Sequence, residues 1–510
     1  MERFKKISPT TYIAAFFVLL GVLARGLALD RVPGGINMDE AFGAYEGYSL
    51  LHYGVDSWGY PFPVYLETWG SGMSALNSYL MIPFFAIFGA HTWVARLPQF
   101  LASCFTLPVA YKLIKRMLNE KAALIALLYL AVCPWSIMYA RWGIDCNLAP
   151  AFLLFGFYFF VLSAENAKYF VLSALFYGLS LYSYITIWPV TPLLLAMMVL
   201  YLLYTKKLHF NRYLFLSVAI LGVMAAPLLL FLLVNNGYLP EIVTPFLSIP
   251  KLTAMRGSEI SFTALLWKLK NTILMILQQN DGLYWNATEE FGLYYKGFLI
   301  FGVIGGLYCL WRFLKSIRTR QYDSAVLLLF PFLSAVVLGA LITTNFNRIN
   351  CIHIPVSLFI GIGLYLTGMA LQRLLKHGDL LVYLLLAVYF LCFEGYYFTT
   401  FRETISREFQ EGLEESVEYA MELADDGEIY VEDGFIYSKI LFYSKIPAPE
   451  YRATVTYRES RVSSFGQFRV EPEAFPETGV CIILPRSMEH FTEEGWTVTQ
   501  FGYSAVAYKN

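Results

Sequence analysis

The strongest constraint on this chain is a series of apolar runs, each roughly 17–22 residues long, spread through its first 400 positions. Such a run, once helical, crosses the hydrocarbon core of a bilayer, where only helices and closed barrels satisfy their own backbone. The runs fall near 11–29, 92–111, 122–139, 148–163, 169–187, 189–204, 213–234, 297–311, 324–343, 354–371 and 380–398. They predict an all-α polytopic membrane protein with about eleven transmembrane helices. Composition agrees, since 57% of the 510 residues are hydrophobic and 15% charged, too apolar for a soluble chain of this size. Arg3, Lys5 and Lys6 precede the first run as in a signal peptide. That run is long enough to span and lacks a small-residue cleavage site, so an uncleaved helix is expected.

A twelfth apolar stretch, "SALNSYLMIPFFAIFGA" (74–90), decides the topology. If it does not cross, the clusters "MERFKK", "KLIKR", "TKKLHFNR", "RFLKSIRTR" and "QRLLK" all fall on one side, which the positive-inside rule makes cytoplasmic. Residues 74–90 are therefore expected to form a re-entrant or interfacial helix within one long outer loop, 30–91. The N-terminus is then cytoplasmic and the C-terminus extracytoplasmic. A second long outer loop, 235–296, holds "SFTALLWKLKNTILMILQQ", an amphipathic pattern suited to an interfacial helix. The turn-rich "NDGLYWNATEEFGLYY" follows it and is placed to cover a site; its sequon at Asn286 is a chance match.

Charge divides the chain again. The first 400 residues carry +9 and the last 110 carry −10, as expected for two regions in two solvents. Residues 1–398 are read as the transmembrane domain and 399–510 as a small extracytoplasmic α/β domain. In the latter, "EFQEGLEESVEYAMELADD" has helical periodicity, and "EIYVED", "CIILP" and "WTVTQFGYSAVAYK" read as strands. The seven cysteines show no paired spacing, which indicates neither a disulfide framework nor a zinc site.

Isolated charges at the outer ends of the spans are the candidate functional residues. In "GGINMDEAFGAYEGYSLLHYG", Asn37 and Glu40 form a capping-box pattern, and Asp39 and Glu40 lie in the first turn. Capping accounts for both acids, but Phe42, Tyr45, Tyr48 and Leu51 share a face that would lie on the membrane surface. Desolvation there would raise a carboxylate toward a usable base. "YARWGIDCNLAP" adds Arg141 and Asp145, with Asp145 or Asn147 also suited to capping the next span. "WVARLPQ" adds Arg96, whose ordinary use would be snorkelling, and "NFNRINCIHIP" adds Arg348 and His353. Carboxylates with several arginines at a membrane interface suit a phosphorylated lipid substrate. Guanidinium forks hold phosphate oxygens, and a carboxylate takes a proton from an attacking hydroxyl.

These stretches resemble the C-type glycosyltransferases. The Asp-Glu pair after the first span, the long outer loop and "ARLP" at the second span carry the likeness. So do "PVYLETWGSGMSALNSYLMIPFFAIFG", "WSIMYARWGIDCN" and "GLSLYSYITIWPV". The nearest likeness is to bacterial glycosyltransferase family 39, the protein O-mannosyltransferase and aminoarabinose transferase group, across about residues 10–400. The resemblance implies inverting transfer of a sugar from a polyprenyl-phosphate donor to an acceptor hydroxyl on the extracytoplasmic face. It implies Asp39 as base with Glu40 beside it and Asp145 as a second acid, and Arg96, Arg141, Arg348 and His353 as donor contacts. The β-trefoil insertion of the O-mannosyltransferases is not visible here. The acceptor (protein, glycolipid or cell-wall polymer) is left open, no nucleic acid is expected, and membrane lipid is the surrounding partner. No cofactor is required, although the acids could hold a divalent cation such as Mg or Mn. A lipid-linked-sugar transporter or flippase and a non-catalytic assembly protein are the alternatives. Against the transporter, runs five to ten contain no ionisable residue within the apolar stretches as drawn.

Overall fold

In a computed structural model, residues 8–68, 71–254, 262–459 and 461–509 are described. The basic residues Arg3, Lys5 and Lys6 lie outside these.

Among the described residues, nine helices are long and apolar enough to cross a membrane. A bent pair, Glu120–Val132 and Pro134–Arg141, makes a tenth. The 59° break there follows from Pro134, which forces Cys133 out of the helical region to φ −67°, ψ 130°. The expected run at 169–187 is the shorter helix Tyr169–Leu181. All eleven predicted positions are thus helical, and the chain is an integral membrane protein.

The first span, Pro9–Gly26, starts at a Ser8 cap with Pro9 in its first turn. Between it and the second span, Leu97–Met117, lie two further helices. Met38–Tyr53 begins with the anticipated capping box and ends at Gly54, whose φ of 71° supplies the left-handed cap. Leu76–Phe88 is apolar and 13 residues long, the same length as Tyr169–Leu181. In the second long loop, Leu265–Gln278 exposes Leu266, Trp267 and Leu277, as an interfacial helix does.

The helical run of the last span continues past residue 398, through a π-turn at Tyr397–Phe401, to Phe409. Beyond it Leu413–Ala424 is the expected amphipathic helix. A seven-stranded mixed sheet follows, in the spatial order Thr497–Phe501, Ser504–Lys509, Gly479–Ile483, Ile429–Val431, Phe468–Val470, Arg461–Phe465, Thr456–Arg458. The central Ile429–Val431 pairs parallel to both neighbours; the last run read from the sequence folds into a hairpin of two strands, and "CIILP" pairs antiparallel with the second of them.

The C-terminal part does not stand apart from the outer loop. Ile36, Tyr45, Met81 and Val94 share one hydrophobic cluster with Leu413, Val417, Ile440 and Phe442. The Tyr45 hydroxyl donates to Ile446 O at 2.7 Å and the Tyr48 hydroxyl to Lys445 O at 3.4 Å. The face of Met38–Tyr53 expected to rest on the membrane is therefore covered by protein. Within that helix Glu46, and just beyond it Asp56, are both fully buried. Glu46 accepts from the Ser57 N–H at 2.8 Å, and Asp56 Oδ1 accepts from the Trp58 and Tyr60 N–H groups at 3.0 and 2.8 Å. Burial raises both carboxyls, Asp56 to about 7, and each disfavours the charge of the other.

Candidate functional site

A polar cavity of about 170 Å³ opens where several loops meet at one end of the helix bundle. Asn37–Asp39 line it from the start of the outer helix, Thr68 and Met73 from the outer loop, and Trp142 and Ile144–Cys146 from the break after the bent span. Leu283 and Trp285 reach it from the second long loop, and Asn345, Asn347 and Arg348 from the link before His353–Leu374. Three predicted residues, Asp39, Asp145 and Arg348, thus share one cavity although they lie far apart in the chain.

Local structure explains their placement. Asn37 is extended, and its Oδ1 accepts from the Asp39 N–H at 3.0 Å, which fixes the helix start beside the cavity. Asp39 remains half-exposed. Asp145, nearly buried, is oriented by the Ser74 N–H on Oδ2 at 3.0 Å and the Cys146 N–H on Oδ1 at 2.7 Å. It does not cap the following helix, and Asn147 instead bonds Trp142 O and Asn350. The Arg348 N–H donates to Asn345 Oδ1 at 2.8 Å, and its Nη1 to Thr343 O at 3.2 Å.

The other four predicted residues are used elsewhere. Glu40 is fully buried, receiving Arg96 Nε at 3.0 Å and the Gly143 N–H at 2.6 Å. A Cβ on Gly143 would sit 2.7 Å from Ala95 O and 3.2 Å from Glu40 Oε1, so only glycine admits this approach. Arg96 neither snorkels nor reaches the cavity. It is fully buried, and beyond Glu40 it donates to Leu29 O, Pro33 O and Gly35 O at 2.7–2.9 Å. Arg141 is likewise buried and gives its N–H groups to the carbonyls of Ala24, Arg25, Leu27, Ala28 and Val32 at 2.6–3.1 Å. It caps the first span rather than waiting for phosphate. His353 packs within Trp135, Tyr139 and Phe346, with Nδ1 2.5 Å from the Tyr294 hydroxyl. The readings of Glu40 as a site acid beside Asp39, of Arg96 and Arg141 as phosphate contacts and of His353 as a donor contact are corrected on that ground: these groups face protein, not the cavity.

Sequence reasoning did not single out Asp281. Its Oδ2 accepts from Asn286 Nδ2 at 2.7 Å and the Phe346 N–H at 2.9 Å, while Oδ1 accepts from Leu283 N–H at 3.1 Å. It ties the loop carrying Leu283 and Trp285 to the loop carrying Arg348. Asn286 is fully buried, which rules it out as a glycosylation acceptor in this fold. Gln99 and Asn77 were also missed. Gln99 donates to Asn77 Oδ1 and Ile144 O, and Asn77 to Gly143 O, which holds the 143–146 segment in place. Among the described residues no group of three or more His, Cys, Asp or Glu is arranged to hold a metal ion. Asp39 and Asp145 are the oxygen donors this cavity would offer one.

A second, apolar cavity of about 20 Å³ lies further along the same helices, among Leu153, Leu154, Phe157, Val190, Leu194 and Leu358. The polar cavity takes residues from the segments leading into these helices.

The model of the dolichyl-phosphate-mannose-protein mannosyltransferase family matches residues 75–234. No curated protein sequence matches the chain. Among solved structures, ArnT from Cupriavidus metallidurans in the apo state is similar over 98% of both chains, with 14% identity and a TM-score of 0.59. The same protein bound to undecaprenyl phosphate matches over 98% of both chains, with 13% identity and a TM-score of 0.57. The oligosaccharyltransferase of Archaeoglobus fulgidus in complex with Zn and sulfate matches over 85% of this chain and 61% of its own, with 16% identity and a TM-score of 0.52. The chain shares the fold of these structures, the C-type glycosyltransferase fold expected from the sequence.

Proposed function

We propose that the protein transfers a sugar, with inversion, from a polyprenyl-phosphate donor to an acceptor hydroxyl on the extracytoplasmic face of a bacterial plasma membrane. The observation that carries this reading is the gathering of Asp39, Asp145 and Arg348 around one polar cavity. The fold neighbour determined with undecaprenyl phosphate supports the donor class, and the mannosyltransferase family model supports lipid-linked sugar transfer.

In this reading the acceptor oxygen attacks the anomeric carbon as the bond from that carbon to the phosphate oxygen breaks. Asp39 takes the acceptor proton, and Arg348 faces the negative charge that grows on the departing phosphate. A phosphate leaving group needs charge stabilisation more than protonation, so one base and one cation cover the chemistry. Asp145 orients the acceptor or the sugar hydroxyls from across the cavity. No cofactor is required; a divalent cation, were one needed, would sit on Asp39 and Asp145.

The test is incubation of the purified chain with a panel of labelled polyprenyl-phosphate sugars, with and without chelator. Transfer by the wild-type chain and its loss in Asp39→Asn support the reading. Donor binding that leaves every sugar on its lipid, unchanged by Asp39→Asn, points to a carrier or assembly protein instead.

A further inference from the structure

The span Leu97–Met117 begins next to Arg96, which is bonded to Glu40 of the outer loop, and runs 21 residues to the opposite end of the bundle, about 30 Å away. There it meets the end of Leu299–Thr319 and the start of Ser324–Leu341 around a cleft of about 580 Å³. Tyr308, Trp311, Arg312 and Lys315 line this cleft from one face of a single helix, at i, i+3, i+4 and i+7, and Arg116 faces them. Arg312 is neutralised by Asp323, 2.5 Å from its Nε, and Arg116 pairs with the exposed Glu165. Lys315 has no ion pair among the described residues, and its Nζ sits 5.6 Å from the Trp311 ring centre. Lys207 lies over the ring of Tyr322, which lines the cleft, and adds a further cation beside it.

The cleft is built rather than adventitious. The Asp323 N–H donates to the Tyr201 hydroxyl at 2.9 Å, and Ser316 Oγ donates to Gln321 O at 2.6 Å, so the loop forming its floor is pinned. It also opens beside an apolar stripe. Val303, Leu307, Leu310 and Leu314, at roughly helical spacing on the same helix, are all exposed. A cationic, aromatic-walled cleft at the end of a span, continuous with an exposed aliphatic stripe, matches a lipid with a phosphate in its head group.

We propose that this cleft binds a phosphate-bearing lipid head group in the leaflet opposite the polar cavity, with Lys315 and Arg116 holding the phosphate and the stripe from Val303 to Leu314 lying along the acyl chains. Lysine ammonium and guanidinium groups contact phosphate by charge-assisted hydrogen bonds, and basic pockets between spans are suited to anionic head groups. This site is separate from the sugar-transfer reading and does not depend on it.

The full chain is reconstituted into phosphatidylcholine vesicles containing one-fifth phosphatidylglycerol and extracted again. Native mass spectrometry then counts the phosphatidylglycerol that stays bound. The wild-type chain is expected to retain it, and Lys315→Gln combined with Arg116→Gln to lower its occupancy at least about tenfold. Arg373→Gln with Lys376→Gln removes as much charge from the same end of the bundle and leaves retention unchanged. The single variant Lys315→Gln, which breaks no ion pair, gives a smaller loss in the same direction and serves if the double variant melts early. Excess inorganic phosphate separates the two sources of the group. Lipid that survives the phosphate wash identifies a head group held with its tail, and lipid displaced by it shows that phosphate alone fills the cleft. No retention by the wild-type chain, or equal retention or equal loss in the two double variants, overturns the proposal.

Discussion

Glu40 and Arg96 meet as a fully buried ion pair, 3.0 Å from Oε1 to Nε, immediately next in sequence to the half-exposed Asp39. The two neighbouring acids therefore do different work. Removing one partner of such a pair leaves the other charge stranded, at about 3–5 kcal/mol. Glu40→Ala is expected to lower the unfolding midpoint markedly, measured by thermal melting in detergent. Asp39→Asn is expected to melt like the wild-type chain while losing at least about 100-fold in transfer rate. If both variants melt alike and both retain activity, the division of roles is wrong.

The two arginines Arg141 and Arg348 separate in the same way. Arg141 satisfies five backbone carbonyls around the end of the first span, so Arg141→Ala leaves several buried acceptors bare and costs at least about 3 kcal/mol. Yield of folded protein and melting temperature read this directly. Arg348→Gln, at the cavity, is expected to fold normally and raise the KM for the lipid-linked donor about tenfold or more.

Glu46 and Asp56 give stability a pH dependence. Both are raised by burial, so the folded chain holds protons that the unfolded chain releases. A raised carboxyl contributes most at low pH, and that contribution fades as pH climbs from about 4 toward the Asp56 value of about 7. The melting temperature is expected to fall between those limits, and Asp56→Asn to flatten this part of the curve. A wild-type chain that grows more stable across the same window refutes the assignment.

Asp281 tests positioning rather than chemistry. Asp281→Ala unties the two loops that bring Leu283, Trp285 and Arg348 to the cavity. A loss of about tenfold in kcat/KM, with the pH profile of the residual activity unmoved, is the expected result. A shifted profile would show that Asp281 itself takes part in proton transfer.

Much of the fold was legible because spans are written in run length, which needs no knowledge of tertiary contacts. The bend at Pro134 and the short helix at Tyr169–Leu181 blurred only the count. Asp39, Asp145 and Arg348 stood out as isolated charges at span ends, and the fold brought them to one cavity. Arg96 and Arg141 stood out for the same reason and were misassigned, because their partners are mostly main-chain carbonyls, which leave no mark in a sequence. His353 lies close to Arg348 in the chain, but the turn of its helix points it into the aromatic core. Asp281 was hidden by its setting, since "NDG" is explained in full by a turn. In the sheet, Thr456–Arg458, Arg461–Phe465 and Phe468–Val470 are only three to five residues long, too short for alternation to stand out from chance.

The brace behind Asp39 has a consequence for biosynthesis. The Ile36 N–H donates to Phe409 O at 3.0 Å, Ser438 Oγ donates to Met38 O at 3.0 Å, and Gly35 lies so close to Phe409 that a Cβ would come within 2.3 Å of its carbonyl oxygen. The chain that flanks the acid on its N-terminal side is thus locked by residues made some 370 to 400 positions later. A ribosome-bound precursor would carry every span yet lack this clamp, so the corner around Asp39 takes its final shape only when the last stretch of chain has docked.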